Sequence, residues 1–392
     1  MEPDVVVVGG GAIGVSAAYE LARRGLRTTL LERGELAAGC SSGNAGLICP
    51  SHSLPLATPA ALAEGIRGLT RRDAVFSIRP RRDTLGWLAR FAASCRTERA
   101  ERGLHAIRGL SVASLALHAE LEPLGTGFER RGILSVYETE ARFAAHAPAG
   151  PAQALRPDEA RALEPALSGE IAGAVYFPDE AHVDPLRYVR AVGEAAARAG
   201  AAIETNVEVR SLAPLETSAG RLRPQTIVLA AGVWSAGLAR GLGVRVPLTG
   251  GKGYHVDLEP GEGDPRVPML LQEARAAVTP LPDRLRLSGT LEIAGLDATP
   301  SPARVDALRR AARRVLAHDG RRELDLWTGL RPCTPDGLPV IGRAAAAPSL
   351  ILAAGHAMKG LSLAPVTGRL VAELATGETP SHELGAFSPN RF

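Results

Sequence analysis

Hydrophobic and polar positions at the start of the chain predict a strand, a helix and a second strand. Val5–Val8 is a short β-branched apolar run, which is typical of a parallel strand buried on both faces. Val15–Arg24 has helical spacing and is followed by Gly25, and Arg27–Leu31 has strand character. This order predicts a βαβ unit at the beginning of the chain.

Similar βα patterns recur in two later regions of the chain. The first region predicts a helix at Asp184–Ala199, strands at Ile203, Val207–Val209 and Thr226–Leu229, and a helix at Trp234–Leu242. The second predicts a strand at Ser349–Ala354 and a helix at Ala364–Thr376. We therefore expect one discontinuous α/β domain, built from residues 1–85, 181–245 and 327–392.

The intervening regions, residues 86–180 and 246–326, show strands without regular βαβ alternation. Helices are predicted at Leu85–Leu124 and Pro302–Ala317, and strands at Phe128–Tyr137, Gly173–Phe177, Tyr254–Leu258, Arg275–Pro280 and Arg284–Thr290. Such strands favour a second domain on a mixed or antiparallel sheet. The predicted class is α/β, or α+β overall.

Length and charge agree with a two-domain enzyme. The 392 residues exceed what one hydrophobic core normally serves, and 45% of them are hydrophobic. The 45 basic and 42 acidic residues are dispersed, with a net charge of +3. The pairs Arg71–Arg72 and Arg81–Arg82 are interpreted as solvated surface charge, so we expect no nucleic-acid partner.

The cysteines predict free thiols and no metal site. Cys40, Cys49, Cys95 and Cys333 form no CxxC pair and no cluster with zinc-like spacing. No basic, apolar leader and no run of 18 apolar residues is found. We expect a cytoplasmic protein without a transmembrane segment, and peripheral contact at the inner face of a membrane stays open.

Glycines after the first strand predict a dinucleotide site. Gly9, Gly11 and Gly14 follow Val5–Val8 at GxGxxG spacing, which permits a tight turn and close approach of a pyrophosphate to a helix N-terminus. Glu32 ends the second strand, where its carboxylate can accept hydrogen bonds from ribose hydroxyls. An ordinary surface carboxylate is the alternative for Glu32.

A loop of small residues follows this unit. Ser41, Ser42, Gly43 and Asn44 offer hydroxyl, amide and backbone groups to a diphosphate or a ring edge. The unit alone fits either FAD or NAD, and the long loop favours a large flat ligand. The strand Thr226–Leu229 runs into small residues that would let a cofactor lie against its carboxyl end.

Several motifs in order along the chain resemble the FAD-dependent D-amino-acid oxidase superfamily. They are GGGAIG with Glu32, SSGNAG, LAAGVW, TGLRPCTPDGLPVIG and GHAMKGLSLAP, and they span Val5 to about Ala375. The resemblance is closest to bacterial D-amino-acid dehydrogenases, glycine oxidases and D-hydroxyproline dehydrogenase-like proteins. It implies a discontinuous Rossmann-type FAD-binding domain and a substrate domain facing the flavin.

The resemblance also implies roles for residues near the C-terminus. Arg331 would clamp the substrate carboxylate from a proline-braced loop, and pairing with Asp336 is the structural alternative. N–H groups at Gly360–Ser362 would stabilise the reduced flavin near N1 and O2. Lys359 would add its charge or point to solvent, and His356 is either a packed or a catalytic residue.

Pocket residues are expected on two further segments. Alternation along the strand carrying Tyr254 and His255 places one of them towards the flavin, and we predict Tyr254. His52 is a pocket candidate or a surface-loop histidine. The predicted cofactor residues are Gly9, Gly11, Ala12, Ile13, Gly14, Glu32, Arg33, Ser41, Ser42, Gly43, Asn44, Ala45, Gly46, Val209, Ala230, Gly232, Trp234, Gly355, His356, Lys359, Gly360, Leu361 and Ser362.

The activity implied is oxidation of a D-amino acid by hydride transfer from Cα to FAD, giving an imino acid that hydrolyses to a 2-oxo acid and ammonia. Oxidation of a secondary amine such as D-hydroxyproline, D-proline or sarcosine is the alternative, and a non-catalytic flavin module is a third. Cys333 does not match the covalent attachment position of sarcosine oxidases, so we expect non-covalent FAD. The electron acceptor is left open between oxygen, a quinone and another carrier.

Overall fold

The computed structural model describes residues 2–70, 74–146, 151–316 and 321–392. The pair Arg71–Arg72 and Ala317, the last residue of a predicted helix, lie outside the described residues. The strands are β1 (Val5–Val8), β2 (Thr28–Leu31), β3 (Leu47–Ile48), β4 (Phe76–Ile78), β5 (Ile133–Tyr137), β6 (Gln153–Leu155), β7 (Gly173–Phe177), β8 (Ala181–His182), β9 (Ala202–Glu204), β10 (Val209–Leu212), β11 (Leu215–Thr217), β12 (Gly220–Leu222), β13 (Thr226–Leu229), β14 (Thr249–Leu258), β15 (Met269–Leu271), β16 (Ala276–Leu281), β17 (Arg284–Ile293), β18 (Glu323–Cys333), β19 (Val340–Ala344) and β20 (Ala347–Ala354). The α-helices are α1 (Ala12–Arg23), α2 (Pro59–Arg67), α3 (Leu85–Ser94), α4 (Thr97–Glu120), α5 (Glu140–Ala145), α6 (Pro157–Leu163), α7 (Pro185–Arg198), α8 (Ser235–Ala239), α9 (Pro302–Val315) and α10 (Ala364–Thr376).

Six strands in the described part of the chain form the first sheet, in the order β19-β20-β13-β1-β2-β9. All neighbours are parallel except β19 and β20. The valines of β1 are buried on both faces, as expected for a central parallel strand. The strands come from the three separate regions that the sequence predicts for the α/β domain.

Helices α1, α7 and α10 cover one face of this sheet. Their small residues allow close packing, since a Cβ on Gly368 of α10 would lie 2.6 Å from the backbone of Ser16 in α1. The opposite face is covered by apolar side chains that include Val6, Leu229 and Leu352. The sheet therefore has the two buried faces of a doubly wound domain.

Nine of the described strands form the second sheet, in the order β18-β14-β17-β16-β15-β5-β7-β6, with β4 pairing with β17. Most neighbours are antiparallel, and the pairs β15–β5 and β17–β4 are parallel. Helix α9 packs against this sheet through Val305, Leu308 and Ala312. The predicted α/β class with a second, mixed sheet is confirmed.

Several predicted elements differ from the structure. The predicted strand Phe128–Tyr137 begins only at Ile133, and Val207–Val209 overlaps β10 only at Val209. Leu85–Leu124 is not one helix, because the backbone is non-helical at Cys95 and extended at Arg96, between α3 and α4. The segment around Arg331 was predicted as a loop, but it belongs to β18, which pairs with β14 over its length. Strand β18 also crosses the predicted domain boundary at residues 326/327, and the exact boundaries stay a prediction.

None of the helices in the described residues combines the length and the apolar character that a membrane span requires.

Candidate active site

A cavity of about 710 Å³ opens at the carboxyl ends of the central parallel strands. Gly9 follows β1, Glu32 follows β2 and Ala230 follows β13, and all three line the cavity. Trp327 and Arg331 of β18 line it from the second sheet. The cavity therefore joins the predicted nucleotide site to the sheet that was predicted to bind substrate.

Gly9 and Gly14, at the first turn, must be glycine for different structural reasons. Gly9 has φ of +113°, and a Cβ there would lie 2.6 Å from the carbonyl oxygen of Ala230. A Cβ on Gly14 would lie 1.8 Å from the carbonyl oxygen of Gly9. Gly14 does not line the cavity, and it serves the close contact of helix α1 with the turn.

Glu32 lies where the sequence predicts a ribose-binding carboxylate. Its Oε2 accepts a hydrogen bond from the N–H of Gly10 at 2.7 Å, and its Oε1 accepts one from the N–H of Gly34 at 3.0 Å. These bonds fix the carboxylate at the cavity wall, and each oxygen retains a further lone pair for a ligand hydroxyl. Beside it, the guanidinium of Arg33 lies 3.9 Å from the ring centre of Trp234.

The loop at residues 41–46 lies between the helix N-terminus and the second sheet. Ser41 Oγ accepts a hydrogen bond from the N–H of Ala12 at 3.0 Å, and Gly43 and Asn44 line the cavity. Gly46 has φ of +83° and does not line the cavity, and a Cβ there would lie 2.4 Å from the carbonyl oxygen of Val183.

Arg331 extends from β18 across Gly253 of β14. A Cβ on Gly253 would lie 2.2 Å from Cζ of Arg331, so only glycine leaves room for the guanidinium. Nη1 of Arg331 donates to the carbonyl oxygen of Thr290 at 2.6 Å. Burial lowers the pKa of Arg331, and no acidic side chain of the described residues pairs with it.

The predicted alternative partner of Arg331 is engaged elsewhere. Asp336 accepts hydrogen bonds from Nε and Nη2 of Arg391, at 2.7 and 3.2 Å. The pair fixes the turn after β18 to the C-terminal segment of the chain. Arg331 therefore has its charge available on the cavity wall.

Trp327 was not predicted, and it is the large aromatic side chain next to Arg331 on this wall. Its ring stacks on His255 with 5.3 Å between centroids and 10° between planes. A Cβ on Gly43 or on Gly329 would lie within 2.3 or 2.1 Å of the indole ring. Period-two spacing from Arg331 along a strand identifies Trp327, whereas a loop around Arg331, as the proline and glycine content predicts, does not.

The prediction that Tyr254 points towards the flavin is wrong. Tyr254 is fully buried in the core between the second sheet and α9, and its hydroxyl lies 3.5 Å from Oε2 of Glu292. His255 lies on the opposite side of the strand, stacked on the cavity-lining Trp327 and with Nδ1 3.5 Å from the carbonyl oxygen of Gly43, but it does not itself line the cavity. Burial lowers the pKa of His255, which favours a neutral imidazole.

His52 and Lys359 contact each other and do not line the cavity. Lys359 Nζ donates to the carbonyl oxygen of His52, so its ammonium binds the neighbouring loop. Nε2 of His52 lies 3.4 Å from Ser135 Oγ, and burial lowers the pKa of His52 to about 4. Neither residue is therefore placed on the cavity surface, and their predicted catalytic roles stay predictions.

The C-terminal glycine loop meets the cavity where the sequence predicts the flavin ring. His356, Gly360 and Leu361 line it. Burial lowers the pKa of His356 to about 3, and its Nε2 lies 3.1 Å from Thr367 Oγ1, which favours a neutral packed ring. Gly355 has φ of +77° and, like Ser362, lies outside the lining.

Most of the predicted cofactor residues share this one cavity. Those that line it are Gly9, Gly11, Ala12, Ile13, Glu32, Arg33, Ser41, Gly43, Asn44, Val209, Ala230, Gly232, Trp234, His356, Gly360 and Leu361. Those that do not are Gly14, Ser42, Ala45, Gly46, Gly355, Lys359 and Ser362. Their binding roles remain predictions.

Comparison with known families agrees with this geometry. The model of the DAO family, described as FAD-dependent oxidoreductases, matches residues 4–374. The chain belongs to this family. Its cofactor is therefore FAD.

Relatives of this DAO-family chain cover nearly its whole length. A D-amino acid dehydrogenase of Paramagnetospirillum magneticum is 35% identical over 417 aligned residues, which cover 99% of this chain and 98% of the relative. A D-amino-acid oxidase of Bradyrhizobium diazoefficiens is 33% identical, with the same coverage. The crystal structure of glycine oxidase from Geobacillus kaustophilus superposes with a TM-score of 0.81 at 26% identity, with 100% of both chains covered.

The residues of this DAO-family cavity fit FAD. Its elongated set of lining residues runs from the adenosine-side groups Glu32, Arg33 and Trp234 past the helix N-terminus to the loop at Gly360. Gly9 and Gly11 line the cavity without side chains, so the backbone of the first turn can approach a pyrophosphate closely. Lining residues that the sequence did not identify include Val8, Gly34, Cys40, Val207, Glu208, Ala231, Leu238, Trp327, Pro332 and Ala354.

Proposed function

We propose that the chain oxidises a primary D-amino acid to the imino acid, which water hydrolyses to a 2-oxo acid and ammonia. The observation that carries this proposal is the guanidinium of Arg331, which is buried at the cavity wall with no acidic partner among the described residues. Relatives named D-amino acid dehydrogenase and D-amino-acid oxidase support the same substrate class.

The role of Arg331 follows from its surroundings. A guanidinium presents parallel N–H donors that match a carboxylate, and burial strengthens the pair because water no longer competes. Thr290 accepts from Nη1, which orients the planar group, and the other donors remain for a ligand.

Bound FAD would supply the acceptor for the hydride that leaves the substrate Cα. The chain contributes by orienting the substrate through Arg331 and by closing the cavity beside it with the indole of Trp327. Backbone N–H groups near Gly360 and Leu361 lie at the predicted pyrimidine end, where they would stabilise negative charge. Positioning and electrostatics are therefore the main contributions of the protein.

We propose that FAD is held without a covalent bond. Cys333, the cysteine nearest to the clamp in sequence, is fully buried and does not line the cavity. Cys40 does line it, but burial raises the pKa of its thiol and so disfavours the reactive thiolate.

The electron acceptor is the open part of this proposal, with oxygen, a quinone and another carrier as the candidates. A quinone requires contact with a membrane surface. Leu54, Ile66, Leu69 and Leu85 are exposed apolar side chains, and Arg67 and Arg81, in the same part of the sequence, are exposed cations of the kind that such a contact uses. A cytoplasmic location stays a prediction.

The test is anaerobic mixing of the purified yellow protein with D- and L-amino acids, glycine, sarcosine, D-proline and D-hydroxyproline, followed by absorbance near 450 nm, the usual flavin band. Rapid bleaching by primary D-amino acids is expected. Bleaching only by secondary amines would replace the proposal with the secondary-amine alternative, and bleaching only by glycine would replace it with oxidation of glycine. Re-oxidation by oxygen or by a quinone analogue then identifies the acceptor, and no bleaching at all would overturn the proposed activity.

A further inference from the structure

The loop that lines the cavity at residues 41–46 is bonded to the second sheet through its carbonyl groups. Nη1 of Arg286, on β17, donates to the carbonyl oxygens of Ser42 and Asn44, the latter at 2.9 Å. The guanidinium is buried and is fixed from behind, because Nε and Nη2 donate to the two carboxylate oxygens of Asp257, each at 2.8 Å. One arginine thus joins strands β14 and β17 to two peptide groups of the loop.

The two remaining carbonyls in this run have partners on the same sheet. Thr279 Oγ1, on β16, donates to the carbonyl oxygen of Ala45 at 2.8 Å. Nδ1 of His255, on β14, lies 3.5 Å from the carbonyl oxygen of Gly43. Four consecutive carbonyls of the described loop therefore face side chains of the second sheet.

Geometry alone would also allow these side chains to hold a metal ion. Ligand atoms of His255, Asp257 and Asp325 lie within 4.8 Å of one another. Both oxygens of Asp257 already accept from Arg286, and one of them also lies 3.1 Å from Nε of Arg284. Two guanidinium groups therefore supply the positive charge that a cation would supply, and the cluster serves the ion pairs.

The opposite side of the loop faces the cofactor cavity. Gly43 and Asn44 line the cavity, and Ser41 Oγ accepts from the N–H of Ala12 at the start of α1. The N–H of Gly43 has no acceptor among the described residues and is available to a bound group. When each carbonyl of a short loop is fixed, the peptide planes between them cannot rotate without breaking a hydrogen bond.

We propose that Arg286, held by Asp257 and assisted by Thr279, is a positioning residue that sets the backbone of residues 42–45 for the flavin. The second sheet thereby determines part of the affinity for FAD and part of the environment of its ring. This inference rests on the cofactor cavity proposed above, and it goes beyond the substrate reaction because it concerns binding of FAD before any substrate is present.

The experiment compares Arg286→Lys with Arg304→Lys in the FAD-loaded protein. Arg304 is a matched control: it is buried, pairs with Glu292 at 3.0 Å, and donates to the carbonyl oxygen of Ala74, but it does not touch the loop or the cavity. A lysine cannot reach two carbonyls and a carboxylate in one plane. FAD dissociation is followed by the rise in flavin fluorescence on dilution, alongside the visible spectrum and the Tm.

We expect both variants to lower the Tm, while only Arg286→Lys weakens FAD binding, by about tenfold, and shifts the visible flavin bands. Thr279→Val, which removes one neutral hydrogen bond at nearly constant volume, should weaken binding by about threefold. If Arg286→Lys and Thr279→Val both bound FAD as tightly as the parent and kept its visible spectrum, the proposal would be overturned. A parent protein that binds no FAD would instead overturn the proposed cavity.

Discussion

The second sheet carries two buried arginines, Arg286 and Arg331, which differ in whether an acidic side chain pairs with them. Arg286 of β17 is bonded to Asp257 of β14, and its charge is neutralised inside the protein. Arg331 of β18 crosses Gly253 of the same β14, and its charge has no acidic partner among the described residues. The difference lies in β14, which presents a carboxylate at one position and no side chain at the other.

This comparison indicates how the two arginines differ in function. A buried guanidinium with its own carboxylate is part of the structure, and removing it leaves an unpaired buried charge. A buried guanidinium without one is an unfavourable arrangement in the free protein, which a ligand carboxylate relieves. A ligand carboxylate therefore binds more favourably at Arg331, because the folded protein already holds the guanidinium buried and unpaired.

Replacing Arg331 should have the largest effect. Arg331→Lys loses the planar pair of donors, and we expect kcat/KM for a D-amino acid to fall by about 10²- to 10³-fold, equivalent to about 3–4 kcal/mol of transition-state binding. Steady-state kinetics measure the loss, and the flavin spectrum verifies that FAD is retained. Arg391→Lys, which perturbs the paired arginine at Asp336, is the control and should leave KM nearly unchanged.

Filling the gap under Arg331 should have a smaller effect of the same kind. In Gly253→Ala the new Cβ would meet Cζ of Arg331 at 2.2 Å, so the guanidinium must move. We expect KM to rise about tenfold with less change in kcat, since the charge remains but the geometry changes. Gly109→Ala, at an exposed glycine of α4 that has open space around it and lies outside the cavity, is the control. Equal kinetics for the two variants would contradict the proposed gap.

The nucleotide half of the site could be predicted because its signal is local. Val5–Val8, the glycines after it and Glu32 lie within one βαβ unit, and each residue type has one physical reason to be there. The predicted bounds of β1, β7 and β13 agree with the structure, since short apolar runs bounded by turn residues determine them.

The substrate half could not be predicted to the same depth because it depends on pairing between distant segments. Arg331 lies in a strand rather than a loop only because β18 finds β14, some seventy residues earlier. The side of β14 that faces the cavity follows from this pairing, so the choice between Tyr254 and His255 could not be made from alternation alone. The bonds from Arg286 to the loop link residues 244 and 242 positions apart, and no local pattern indicates them.

Glu180 is a buried carboxylate with no cationic partner among the described residues, which is the opposite of the situation at Arg331. Glu180 is 5% exposed, its Oε1 accepts from the N–H of Ser51 at 2.7 Å, and its Oε2 has no partner among the described residues. Burial raises the pKa of Glu180 to about 7 from its usual 4.5. The folded state therefore prefers the protonated acid. The contribution of Glu180 to the free energy of unfolding is fully present below about pH 4.5 and is lost as the pH rises through 7.

We expect Glu180→Gln to remove this part of the pH dependence. The amide keeps the acceptor for Ser51 and cannot ionise, so the variant should be more stable than the parent at pH 8 by about 1–3 kcal/mol and nearly equal to it at pH 4.5. Urea unfolding at the two pH values measures the difference. If the free energy of unfolding changed with pH in the same way in the parent and in Glu180→Gln, Glu180 would be ionised in the folded protein.

The smallest effect is expected at the thiol beside Arg331. Cys40 and Cys333 both interact electrostatically with Arg331, and a thiolate at either position would supply the anion whose absence distinguishes this arginine from Arg286. Burial raises the pKa of Cys40, and it raises the pKa of Cys333 to about 12, so both remain neutral thiols near pH 7. We therefore expect Cys40→Ser to change kcat/KM by less than about twofold. Acid precipitation tests the thiol directly, and it should release all of the FAD into the supernatant from both the parent and Cys40→Ser. Yellow colour that stays in the parent pellet but not in the Cys40→Ser pellet would reveal a covalent thioether. The thiol of Cys40 would then have reacted as a thiolate, which would contradict the raised pKa.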